Sequence, residues 1–351
     1  MNYEGWDQDY LENKELYLNL FNDAIQKDNE KNVEFLEKKI SKYVGRKHGI
    51  AINSATDALY YSLKCYDIGP GDEVLVSDFS WISSASCILM TGATPVFCDI
   101  NLDSYHMAFD EIQKKTTNKT KAIIYTHLFG NITETKEIEK YCKDNNIIFI
   151  EDAAQSLGSK YKDRYAGAIG DISSFSFNHN KVISGISGGG MIFTDIDSTA
   201  EYLRKIRKHG KGKDYETLGY NSKMFYMNAV YIEMRFDRIN KLQSRRIEVA
   251  NKYHKELKDL PVTIQVANAD LVHNYHKYVV RFENKETRDE VKNKLNAKIH
   301  YDPPISKNSM FNLTPCTNAQ KASDTVLSLP CHPYVTEEEI NQTCMIIGII
   351  A

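Results

Sequence analysis

The sequence predicts an α/β protein. A large domain carries a mainly parallel sheet flanked by helices, and a smaller α+β C-terminal domain follows it. Two observations carry this expectation. Short apolar runs of strand length recur through the first half of the chain, and helical patterns separate them. Parallel strands need such crossovers, and a helix that packs on the sheet is the usual one.

In chain order, residues 32–44 predict a helix, because Val33, Leu36, Ile40 and Val44 fall on one face. Residues 49–53 form the first strand pattern, 55–63 the next helix, 73–76 a strand and 83–90 a helix. Three more strand patterns follow at 95–99, 122–125 and 147–150, the last two joined by a helix at 134–144. Ligands in such sheets gather beyond the strand carboxyl ends, where this pattern puts Asn53, Ser54, His127 and Asp152. Residues 224–257 read as one long helix, with Arg245 and Arg246 among its basic residues. Its second half bridges to the smaller domain, where 277–282 and 326–330 read as strands. The expected division is 1–235 and 236–351.

Bulk properties exclude several classes. A chain of 351 residues is too long for one ordinary core. Its 44 Lys plus Arg against 47 Asp plus Glu give no field that favours nucleic acid or an anionic membrane. The seven cysteines (65, 87, 98, 142, 316, 331 and 344) are scattered and form no C-x-x-C pair. That argues against a zinc ribbon or a disulfide framework and for a reducing compartment. The segment 1–7 shows no basic-then-apolar signal, and no apolar run reaches membrane length. The expected location is cytoplasmic, with no metal site.

One stretch carries chemistry. Ser174-Phe175-Ser176-Phe177 reads as a short strand, Lys181 follows it, and a glycine-rich turn at 184–190 comes next. Upstream, Ile150-Glu151-Asp152 ends a buried strand on a carboxylate. A lysine that forms a Schiff base and an aspartate held against a pyridinium nitrogen are the protein's half of pyridoxal phosphate chemistry. Lys181 is the expected lysine and Asp152 the expected carboxylate.

The wider order of motifs resembles the DegT/DnrJ/StrS family of sugar aminotransferases. The resemblance runs through Asn53-Ser54-Ala55-Thr56-Asp57-Ala58-Leu59, Gly71-Asp72-Glu73-Val74 and Ser77-Asp78-Phe79-Ser80-Trp81. It continues through Thr91-Gly92-Ala93-Thr94-Pro95-Val96, His127-Leu128-Phe129-Gly130 and Glu151-Asp152-Ala153-Ala154-Gln155. Phe175-Ser176-Phe177 with Lys181, Gly219-Tyr220-Asn221, and His300-Tyr301 near Leu329-Pro330-Cys331-His332-Pro333 complete it. It implies a pyridoxal phosphate-dependent transferase of fold type I, acting as a homodimer with shared sites. It also implies transfer of an amino group from L-glutamate to a nucleotide-linked keto-deoxy sugar for surface glycan biosynthesis. The carbon expected is C4 of a 4-keto-6-deoxyhexose, with C3 or C2 as alternatives. A sugar dehydratase, which replaces the lysine, or a non-catalytic binding dimer fits less well.

The same resemblance assigns roles. Lys181 holds the cofactor and shuttles protons, and Asp152 pairs with the ring nitrogen. Gln155 contacts the ring hydroxyl, and Trp81 stacks on the ring face. Ala55 and Thr56 offer backbone N–H groups to the phosphate, Ser176 adds a hydroxyl, and Asn221 reaches the phosphate from the neighbouring subunit. His127, His300 and Tyr301 are candidate substrate contacts. The chain departs from the family pattern in three places. Ser187 stands where an acidic residue is usual in the glycine loop, Lys223 stands where arginine is common, and 26–32 lacks the usual glycines.

Overall fold

The structure is a computed structural model that describes residues 5–26, 29–265 and 270–351; of the glycine-poor segment, Lys27 and Asp28 lie outside these, as do residues 1–4 of the N-terminal stretch. Two helices, α1 (Trp6–Gln26) and α2 (Asn29–Val44), precede the first strand, β1 (His48–Ile52). Strands and helices then alternate: α3 (Ala55–Lys64), β2 (Glu73–Ser77), α4 (Ser83–Thr91), β3 (Thr94–Cys98), α5 (Phe109–Lys115), β4 (Thr120–Thr126), α6 (Lys136–Asp144) and β5 (Ile148–Asp152). The short strands β6 (Lys160–Tyr161) and β7 (Arg164–Tyr165) interrupt this rhythm. They are followed by β8 (Ile172–Ser176), β9 (Gly190–Thr194), α7 (Asp197–Ile206), α8 (Tyr226–Asp237) and α9 (Ile239–Leu257).

Seven strands form one sheet in the order β1-β9-β8-β5-β4-β2-β3. Only β9 runs against the rest, pairing antiparallel with both β1 and β8. The other pairs are parallel, so six strands deliver their carboxyl ends to one edge. Successive side chains of a strand point to opposite faces, and the cores follow that alternation. Ile50, Ile52, Val74, Val76, Ile124 and Ile150 join Leu59, Ile88 and Leu203 of α3, α4 and α7 on one face. On the other face, Leu75, Ile123 and Phe149 pack with Ile112 and Ile138 of α5 and α6. Ala51, Phe175 and Phe193 pack there with Leu36 of α2 and Ile232 of α8.

The long pattern at 224–257 proves to be two helices. The backbone leaves the helical region at Arg238 (φ −101°, ψ 9°), which separates α8 from α9. Within α9 the chain changes core: Ile239 and Leu242 belong to the large-sheet core, whereas Val249, Tyr253 and Leu257 belong to another. The residues of the second core begin at Val249, within α9. That core is built on β10 (Thr263–Ile264), β12 (Tyr278–Arg281) and β13 (Val326–Leu329), which pair antiparallel in that order. The intervening β11 (Leu271–Val272) pairs with β6 instead. Helices α10 (Lys285–Leu295), α11 (Thr317–Thr325) and α12 (Glu337–Ile350) complete the chain. A capping box of Thr336 and Glu339 starts α12.

Two aspartates, the buried Asp78 and the half-buried Asp99, tie the halves together. The Asp78 carboxylate accepts from the Ser306 N–H (2.7 Å), the Ser306 hydroxyl (2.9 Å) and the Cys316 N–H (2.8 Å). Asp99 accepts from the N–H groups of Asn318 and Ala319 in the first turn of α11, where a negative charge is favoured. Among the described residues no helix is long and apolar enough to cross a membrane.

Candidate active site

The carboxyl edge of the large sheet collects the expected residues. Asp152 ends β5, buried, with its side chain on the face opposite to that of its neighbour Glu151. Its Oδ2 accepts from the Ser84 hydroxyl (3.0 Å) and the Thr126 hydroxyl (3.3 Å), and its Oδ1 from the Ala154 N–H (3.2 Å). Burial pushes the Asp152 carboxyl above its ordinary range, while Ala154, Ser84, the Lys181 charge and Thr126 act to keep it ionised. Ser84 and Thr126 are partners of Asp152 that the sequence did not point to. They lie 68 and 26 residues from Asp152, and neither belongs to a motif.

Lys181 sits in a turn after β8, its N–H bonded to the Asn178 carbonyl (2.9 Å). Loss of water around its amine lowers its pKa to about 8, against an opposing pull from Asp152. The Lys181 and Asp152 charges act on each other, so the fold brings the two groups near one another.

The phosphate end is shaped by close backbone approach. Ser54 caps α3 by accepting from the Asp57 N–H (3.0 Å). The Ala55 and Thr56 N–H groups occupy the first helical turn, which has no intrahelical acceptors and a partial positive charge. Strand β9 passes directly beneath. A Cβ at Gly190 would lie 2.3 Å from the Ser54 carbonyl oxygen and 2.7 Å from the Ala55 nitrogen. Ser176, opposite Gly190 in the β8–β9 register, accepts from the Asn178 N–H (3.2 Å). Replacing Gly190 with Ala should therefore displace the α3 N-terminus and weaken cofactor affinity at least tenfold in an absorbance titration, with secondary structure retained.

The glycine turn keeps its shape through Asn228 of α8, a second residue without a sequence signal. Asn228 donates to the Gly188 carbonyl (2.7 Å) and accepts from the Ser187 N–H (3.3 Å). A Cβ at Gly185 would meet the same Asn228 oxygen at 2.4 Å. Trp81 stands just before α4 and is 58% exposed, whereas Phe79, two residues away, is buried. A flat ring left this open at the site fits a stacking role.

The remaining candidates fall in different places. Gln155 is buried, accepts from the Phe129 N–H (2.9 Å) and donates to the Tyr301 hydroxyl (2.8 Å). Tyr301 packs edge-on against Phe79, and burial raises its pKa. The His127 ring is bonded to the Glu151 carboxylate (2.8 Å), while its backbone N–H donates to the Asp152 carbonyl (3.0 Å); the His127 and Glu151 side chains are fully buried. Glu151 also accepts from the N–H groups of Gly167, Ile169 and Gly170. His127 thus follows the expected strand end but is engaged by the carboxylate of the opposite face. His300 is half-buried and bonded to the Ser328 hydroxyl (2.8 Å). Burial, then Lys277, Lys298 and Lys181, lower its pKa to about 3, so its ring is neutral near pH 7. Asn221 is exposed, and its carbonyl accepts from Asn53 of the same chain (3.2 Å). Among the described residues no group of three or more His, Cys, Asp and Glu is arranged to hold a metal.

These groups fit pyridoxal phosphate: a glycine-cleared helix N-terminus for the phosphate, a buried carboxylate for the ring nitrogen, and a lysine of lowered pKa. Comparison with known proteins agrees. The chain is 34% identical over 322 residues to a UDP-N-acetyl-3-dehydro-α-D-glucosamine 3-aminotransferase of Acidithiobacillus ferrooxidans, covering 89% of this chain and 86% of that one. It superposes on the crystal structure of a DegT DnrJ EryC1 StrS aminotransferase from Brucella abortus with a TM-score of 0.93, at 27% identity and full coverage of both chains. The PLP form of a putative sugar aminotransferase from Streptococcus pneumoniae gives a TM-score of 0.84 at 26% identity, over 91% of each chain. The profile of the DegT/DnrJ/EryC1/StrS aminotransferase family matches residues 12–347, so the chain belongs to that family and is an aminotransferase with pyridoxal phosphate as its cofactor.

Proposed function

We propose that this enzyme transfers an amino group from L-glutamate to a nucleotide-linked keto-deoxy sugar, at C4 of a 4-keto-6-deoxyhexose. The observation that carries the chemistry is Lys181 held beside Asp152 at the sheet's carboxyl edge. Pyridoxal phosphate, when bound, supplies an electron sink for the carbon that loses its proton. Lys181 takes the proton from the amino donor's α-carbon and later delivers one to the sugar carbon that receives nitrogen. Asp152 holds positive charge on the ring nitrogen, and its three donors fix its orientation. Ala55, Thr56 and Ser176 hold the phosphate, Gln155 the ring hydroxyl and Trp81 the ring face. Glutamate leaves as the 2-keto acid, and the sugar carbonyl becomes an amine.

C4 is favoured because a 4-keto-6-deoxyhexose is the direct product of a 4,6-dehydratase and so the commonest keto sugar on offer. A second reading, amination at C3, is favoured by the 34% identical relative, whose name is a 3-aminotransferase. The altered glycine loop, with Ser187 at its tip, bears on the same choice. Purified enzyme given glutamate and a panel of dTDP-, UDP- and GDP-linked keto sugars decides the matter. Mass spectrometry identifies the substrate, and NMR places the nitrogen. Absence of any amino sugar would overturn the proposal.

The active unit in this reading is a cytoplasmic homodimer with shared sites. Asn221 is exposed just beyond β1, where its carbonyl accepts from Asn53, and this exposure supports the reading. Lys181→Ala and Asn221→Asp chains, each inactive alone, should regain about a quarter to a half of wild-type activity per mixed dimer, because one site then carries neither lesion. Co-expressed heterodimers no more active than either parent would count against sharing.

A further inference from the structure

A groove of about 710 Å³ opens between α2 and α7, beneath the start of β1. Ala55, Thr56, Trp81, Asp152 and Lys181 take no part in its lining. Nine lysines and arginines line it against three glutamates, in a chain whose net charge is −3. Part of that charge is neutralised locally. Arg46 is paired with Asp195 (2.8 Å), Lys47 with Asp197 (2.7 Å), and Lys205 with Glu201 (2.8 Å) and Glu216 (2.7 Å). Arg207 is bound to Glu37 and to the Ala51 carbonyl.

Lys38, Lys42, Arg204 and Lys211 have no ion-pair partner among the described residues, and Glu34 is the one lining carboxylate left to balance them. Arg207 forms part of the groove wall. It is 7% exposed, and its Nε is buried without any acceptor. A buried guanidinium N–H with no acceptor is costly, and like charges gathered around one concavity repel.

We propose that this groove binds an oligophosphate anion, as carried by a nucleoside triphosphate or by inorganic polyphosphate. A carboxylate would answer one charge of the surplus, whereas a phosphate chain presents several charges along a length that the groove can hold. Arginine forks and lysine ammonium groups are the side chains that recognise phosphate oxygens. The groove is distinct from the cofactor's phosphate cradle at the α3 N-terminus.

Titration calorimetry on the cofactor-loaded full chain tests the proposal, with inorganic tripolyphosphate and a nucleoside triphosphate as separate probes. One saturable site per chain is expected for each, weakening as salt rises. The Lys42→Glu/Arg204→Glu variant should lose at least tenfold in affinity while keeping its circular dichroism and bound cofactor. Lys38→Ala and Lys42→Ala, single changes at exposed positions of α2, should each weaken binding about threefold. A control with the same charge change elsewhere, Lys255→Glu/Lys258→Glu, should bind as wild type. Equal affinity for the two probes would make the phosphate chain the ligand; a tighter nucleotide would make a nucleoside triphosphate the source. Absence of saturable binding, binding that survives the double and single groove variants, or an equal loss in the control would overturn it. Sugar-nucleotide turnover is not read, so failure here is separable from failure of the proposed reaction.

Discussion

Lys181→Ala should abolish transamination while leaving the fold intact. The side chain makes no contact on which a core depends, yet one amine serves both to hold the cofactor and to move the proton. Its removal therefore strikes two steps at once, and activity should fall below about one part in ten thousand, more than loss of a single general base costs. Borohydride reduction of the yellow holoenzyme followed by peptide mapping should tag Lys181; a tag on another lysine would reassign the site. The lowered pKa makes a further expectation for the cofactor-free protein. A lysine near 8 is neutral in about one molecule in ten at pH 7, against roughly one in three thousand for an ordinary lysine. Only the neutral amine is nucleophilic, so the rate of pyridoxal phosphate uptake should rise with pH and level off above pH 8. A rate still climbing in proportion to hydroxide at pH 10 would mean that the amine is not perturbed.

Much of this was legible because a parallel sheet covered on both faces writes itself as short apolar runs. Leu75, Ile123 and Phe149 face one layer and Val76, Ile124 and Ile150 the other, so the middle of each of these strands is a short apolar run and easy to see. The elements that escaped are those without such a signature. Helix α10 buries Arg288, Val291 and Leu295 but is otherwise charged, so no apolar stripe marks it. The division of 224–257 hides because apolar spacing continues through Arg238, where only the backbone turns. The site splits in the same way. Asp152 and Lys181 belong to local motifs, but what holds Asp152 comes from α4 and β4, and pairing across such separations leaves no periodic trace. His127 shows the limit from the other side. Period-two alternation tells that Glu151 and Asp152 face apart, but not which of them a residue at the end of the next strand will meet.

Asp152→Asn should cost about two to four orders of magnitude in kcat, at or somewhat above the loss of one positioned donor from a catalytic site. What surrounds the carboxylate sets the size of the loss. Burial alone would drive Asp152 toward its neutral form, and a neutral acid cannot hold a proton on a pyridine nitrogen by charge. Three donors, from Ser84, Thr126 and Ala154, offset that tendency, as does the lysine charge. Asparagine keeps the shape and part of the hydrogen bonding but removes the charge, and its NH2 would face donors where an acceptor is required. Cofactor should still bind through the α3 N-terminus and Lys181, so the loss should appear in kcat and in a shifted visible absorption rather than in cofactor content. Ser84→Ala provides a graded comparison. It removes one of three donors and leaves the carboxylate, and it should cost about tenfold, the equivalent of one hydrogen bond of ordinary strength to a charged group. If Asp152→Asn retained activity within tenfold of wild type, the carboxylate would be a structural brace for the end of β5, and the ring nitrogen would need another partner.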